Sequence, residues 1–80
     1  MGTKEKIKDL KFRMYYLNAV DGVGLFFADT VRKLKIEMND VVANWQKEHN
    51  SIPFNMQEEL DEFDRQYQTA LKKIWNAGLY

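Results

Sequence analysis

The spacing of apolar residues constrains this chain more than any other feature. Three stretches repeat the +3/+4 interval that lines one side of a helix. Ile7, Leu10, Met14 and Leu17 form the first stripe. Phe27, Val31, Leu34, Met38, Val41 and Trp45 form the second, and Met56, Leu60, Phe63, Tyr67, Ala70 and Ile74 the third. Stripes of this kind are the seams along which helices pack. The first stretch carries another stripe on its back. Phe12, Tyr15, Tyr16 and Ala19 stand at i, i+3, i+4 and i+7, about half a turn from Leu10 and Met14. A helix that is apolar on two opposite sides needs two partners, and one short chain satisfies only one side easily.

Helix-breaking residues divide the stripes. They predict helices over about 4–20, 25–48 and 56–77, within one helical domain covering residues 1–80. Thr3 is placed to cap the first helix through its hydroxyl. Asp21-Gly22-Val23-Gly24 reads as a break, with Gly22 suited to the left-handed conformation that ends helices. A single kinked helix through this point is the competing reading, since Leu17, Val20, Gly24, Phe27 and Val31 also keep the spacing. Two interior glycines cost that version roughly 2 kcal/mol relative to alanine. His49-Asn50-Ser51-Ile52-Pro53 ends the second helix, because proline cannot continue one and biases its predecessor away from it. Asn55 with Glu58 three residues on resembles a capping box, Phe54 is placed as a hydrophobic staple, and Gly78 as a C-terminal cap.

Short connections make consecutive helices antiparallel neighbours. The expected fold is all-α, a three-helix antiparallel bundle with coiled-coil-like seams. The alternative is a hairpin of the second and third helices that dimerises into a four-helix bundle. The centre of the core is expected at Leu34, Met38, Val41, Trp45, Leu60, Phe63 and Tyr67. Eighty residues limit that core, and oligomerisation is a common supplement at this size.

Composition narrows the classes. A hydrophobic fraction of 45% and net charge of zero argue against disorder. There is no cysteine, so disulfide scaffolds and thiolate metal sites are excluded. No apolar run approaches the roughly 20 residues of a membrane span. Residues 1–11 are charged, unlike a secretory signal, and Lys6 stands where an N-myristoylation motif wants Ser or Thr. A cytoplasmic location is expected. The charge is unevenly spread. Lys4, Lys6, Lys8, Lys11 and Arg13 crowd the first helix, and Glu58, Glu59, Asp61, Glu62 and Asp64 crowd the start of the third. The two groups attract one another, within or between chains.

Catalytic chemistry finds little support. His49 is the only histidine and stands at a helix end, where histidine commonly binds free carbonyls. Gln46 occupies the position that a Glu-x-x-His di-metal pair would need for its carboxylate. Asp21-Gly22-Val23-Gly24 lacks the alternating oxygen ligands of a calcium loop, and Gly22-x-Gly24 lacks the Gly-Lys-Ser element of a phosphate loop. The acidic cluster wraps around its helix rather than converging. No catalytic residue, cofactor or metal is therefore expected. The sharpest signal is the stripe of Phe12, Tyr15, Tyr16 and Ala19, since Tyr and Phe give large contact area and are enriched at interfaces. The expected function is a non-enzymatic protein-binding module, an adaptor, regulator or inhibitor, with a homodimer expected through this face. Two alternatives use the same helix: nucleic-acid binding through its lysines, and adsorption to a membrane surface.

Overall fold

The computed structural model describes residues 2–20 and 22–79, which form three helices: α1 (Thr3–Ala19), α2 (Leu25–Glu48) and α3 (Phe54–Asn76). No strand occurs among the described residues. Ile7 and Met14 are wholly buried and Leu10 nearly so. Their stripe meets both neighbours. α1 packs most extensively on α3, next on α2, while α2 and α3 touch each other least. The chain is a three-helix bundle arranged around its first helix.

This corrects the expected core. Leu34, Met38 and Phe63 are buried, but Val41, Trp45, Leu60 and Tyr67 are only half-buried at its flank. The fully covered positions are instead shared out, with Ile7, Leu10 and Met14 from α1, Phe27, Ala28 and Val31 from the start of α2, and Ala70 and Ile74 from the end of α3. The physical reason is that α2 and α3 both lean on α1. An open groove of about 350 Å³, floored by Met38, Val42, Leu60 and Phe63, separates them. Lys35 bridges it, with its ammonium 5.1 Å from the centre of the Tyr67 ring.

Polar contacts on the flank toward α3 fix the rotation of α1. Lys11 Nζ lies 2.7 Å from Glu59 Oε2, with both side chains mostly covered. The Asn18 side-chain amide donates to the Gln66 carbonyl at 2.7 Å and to Gln66 Oε1 at 3.1 Å. Lys73 donates to the Asn18 backbone carbonyl, one of the acceptors a helix end leaves without an internal partner. With the apolar stripe inward and these contacts beside it, the back of α1 faces solvent.

The helix ends depart from expectation in instructive ways. Gly2, not Thr3, is the N-cap of α1, and its N–H donates to Glu5 Oε2 at 2.6 Å, the returning half of a capping box. α1 ends at an extended Val20, and Gly22 takes φ +95 in the connection, so the continuous helix is ruled out; Asp21 lies outside the described residues. α3 begins directly after Pro53, two residues earlier than expected. Proline fixes φ near the helical value and its missing N–H is not needed at a helix mouth. Asn55 is therefore helical and caps nothing, and Phe54 is exposed, while Ile52 packs on the core in its place. Gly78 does cap α3. It takes φ +72, its N–H donates to the Trp75 carbonyl at 3.0 Å, and the Leu79 N–H donates to Ile74 at 3.0 Å. This is a Schellman motif, and Leu79 packs against the core as that motif favours.

Two outcomes are expected. Met14→Ala and Phe63→Ala each destabilise by about 2–5 kcal/mol in urea denaturation, and the half-buried Leu60→Ala by less; equal losses at Leu60 and Met14 would return the centre of the core to the α2–α3 seam. Gly78→Ala, forced into the left-handed region, costs about 1 kcal/mol. Its melting temperature falls by roughly 4–8 °C for a domain of this size.

Candidate functional site

The antiparallel turn from α1 into α2 sets the end of one helix beside the start of the next. Between them runs an open groove of about 580 Å³. Phe12, Tyr15, Tyr16 and Leu17 line it from α1, and Phe26, Thr30 and Leu34 from α2, with Arg13 also at its wall. The aromatic members are exposed: Phe12 by 64%, Tyr15 by 56%, Tyr16 by 70% and Phe26 by 81%. Rings of roughly 200 Å² each at these exposures present on the order of 500 Å² of contiguous aromatic surface. That lies at the upper end of what a monomer normally shows, about 300–600 Å² for its largest patch.

Two polar groups of the groove wall, on Arg13 and Thr30, are already partnered. Arg13 Nε lies 2.8 Å from Asp9 Oδ2, the favourable order for an i, i+4 pair. The Thr30 hydroxyl donates to the Phe26 carbonyl at 2.8 Å. What remains is apolar surface edged by phenol hydroxyls. Farther along the same two helices lies a separate, more polar hollow of about 360 Å³, lined by Lys6, Asp9, Glu37, Asp40 and Asn44 with Leu10 and Val41.

Of the four residues expected at an interface, Phe12, Tyr15 and Tyr16 come together here. Ala19 is exposed but does not line the groove. Phe26 belongs to the site and was legible in the sequence only as a single outward apolar residue. It precedes Phe27 of the α2 stripe, and only the antiparallel turn brings it to Tyr16. His49 stands elsewhere, at the far end of α2. Its Nδ1 lies 3.2 Å from the Trp45 carbonyl and its ring stacks on Trp45 at 3.8 Å between centroids. Fifteen residues of helix from Leu34 put it roughly 22 Å from the groove.

The cations expected on α1 are partly committed within the chain. Lys11 pairs with Glu59, Arg13 with Asp9, and on α2 Lys33 pairs with Asp29. Lys4, Lys6 and Lys8 make no ion pair among the described residues. In the acidic start of α3, Glu62 is also engaged. Hydrogen bonds from Arg65, then Gln66, hold its carboxyl below the usual carboxylate range. Among the described residues no group of three His, Asp or Glu side chains is arranged to hold a metal ion. No described helix is long and apolar enough to cross a membrane. No protein-family model, curated protein or solved structure matches the chain.

Because the aromatic residues of the groove project into solvent, replacing them leaves the fold nearly unchanged. At a chain concentration low enough to keep the protein monomeric, Phe12→Ser, Tyr16→Ser and Phe26→Ser are each expected to shift the unfolding free energy by less than about 0.5 kcal/mol. Serine matches Phe and Tyr in helix propensity, so the substitution isolates the loss of surface. A loss above about 2 kcal/mol at any of the three in that monomer would assign the residue to the core instead.

Proposed function

We propose that the chain is a non-enzymatic protein-binding module whose docking face is the groove between α1 and α2. One observation carries the reading: three aromatic residues of α1 and Phe26 of α2 are held exposed around a single apolar concavity. Burying such rings against a partner supplies the large contact area typical of interface hot spots. The groove has no unpartnered charged group with which to select a charged ligand. The chain then works as an adaptor, regulator or inhibitor by occupying a partner, or a second copy, through this face. A cytoplasmic setting fits a sequence without cysteine.

Nucleic-acid binding through α1 is the reading to be tested against it. The pairing of Lys11 and Arg13 with carboxylates leaves fewer cations to release counterions from phosphates. The two readings separate by salt. Association through the aromatic groove holds from low to physiological salt and is lost in Phe12→Ser/Tyr16→Ser, checked by pull-down from the native host with wild type and variant side by side. Oligonucleotide binding that persists at physiological salt and disappears in Lys4→Ala/Lys8→Ala would replace the protein-binding reading.

A further inference from the structure

Resting on the protein-binding reading of the groove, we propose that its occupant is a second copy of this chain, the two α1 helices crossing antiparallel about a two-fold axis near Tyr15 and Tyr16. Area is the first argument. A stable interface buries about 800 Å² per partner. The four exposed aromatics supply on the order of 500 Å² of that, leaving only a polar rim to complete it. Shape is the second. A two-fold contact needs one surface to carry both the projection and the recess it fills. Here the same rings do both, since Phe12 and Tyr16 project to solvent and also wall the groove beside Phe26.

Charge selects the direction. Lys8 lies one turn before Phe12 on the same face, Lys4 a turn earlier, and neither has an ion pair among the described residues. Parallel helices would set these lysines against their own copies. Antiparallel helices centred between Tyr15 and Tyr16 put the two Lys8 residues roughly 22 Å apart along the axis. That is well beyond the screening length of about 8 Å at physiological ionic strength. Each Lys8 then stands roughly 6 Å along the axis past the other copy's Ala19, where α1 ends, and not beside its own copy. That terminus already receives the Lys73 ammonium of α3 at its Asn18 carbonyl, so the direction rests on the separation of the lysines.

Sedimentation equilibrium on the full chain tests the pairing. The expected mass is twice 9.5 kDa. In Phe12→Ser/Tyr16→Ser the dimer dissociation constant rises by roughly a hundredfold or more, the scale of losing hot-spot aromatics, with the helical circular-dichroism signal unchanged. Direction is read by disulfide trapping, which is clean because the native sequence has no cysteine. Tyr15→Cys, near the axis, gives a covalent dimer on oxidation. Lys8→Cys does not, since a disulfide needs Cα atoms within about 7 Å. Efficient trapping through Lys8→Cys overturns the antiparallel arrangement. A wild-type chain that stays monomeric to its solubility limit overturns the self-pairing. If such a monomer still retains a foreign protein that the Phe12→Ser/Tyr16→Ser variant loses, the binding face stands and only its occupant was wrong; if it retains none, both readings fall.

Discussion

Ile7, Leu10 and Met14 lie where α2 and α3 both reach α1, and the rest of the structure depends on that shared contact. In a chain this short, one helix of 17 residues supplies the surface on which two longer ones assemble. α2 and α3 consequently meet each other little, and their own stripes are only partly covered between them. The same contact sets the exposed face. Once the inward stripe is buried and Lys11 and Asn18 are tied to α3, rotation of α1 would break an ion pair and an amide contact together. The aromatic stripe is held outward by what happens on the other side of its helix.

Periodicity revealed the helices because an interval of three or four residues has a single physical cause, a side that must leave water. It located α2 to the residue and the other two helices within two residues at each end. It did not rank the seams. The α2 and α3 stripes are longer and richer in large residues than the α1 stripe, which suggested Leu60, Tyr67, Val41 and Trp45 as the centre. Burial depends instead on how many neighbours a side chain meets, and that follows from which helix lies between the others. Cap positions failed for a local reason. Asn55 and Glu58 have the right spacing, but Pro53 starts the helix before them. Gly78 succeeded because a residue with φ +72 just past a stripe leaves few choices other than glycine.

The groove shows the same division. Phe12, Tyr15 and Tyr16 were legible as a stripe because all three lie on one helix. Phe26 was not, since its relation to them exists only after the chain has turned between α1 and α2. Its neighbour Thr30 turns its hydroxyl to the Phe26 carbonyl, so a position that looks polar in the sequence adds no free polar group to the wall.

The proposed binding would be linked to folding through α1, because its two faces share one backbone. A partner that recognises the outward stripe recognises it only when the helix exists, and the helix exists because its inward stripe is buried. Whatever occupies the groove therefore stabilises the folded chain by mass action, by RT ln(1 + [L]/Kd) for a single site. For a partner that is a second copy, stability depends on the concentration of the chain itself. A limited core, twelve buried apolar residues among those described, makes that contribution consequential. The aromatic face, which costs the isolated chain exposed apolar surface, becomes part of what holds the fold once it is covered. On the proposed reading, the helix on which the core is built is also the one through which the surroundings would act on its stability.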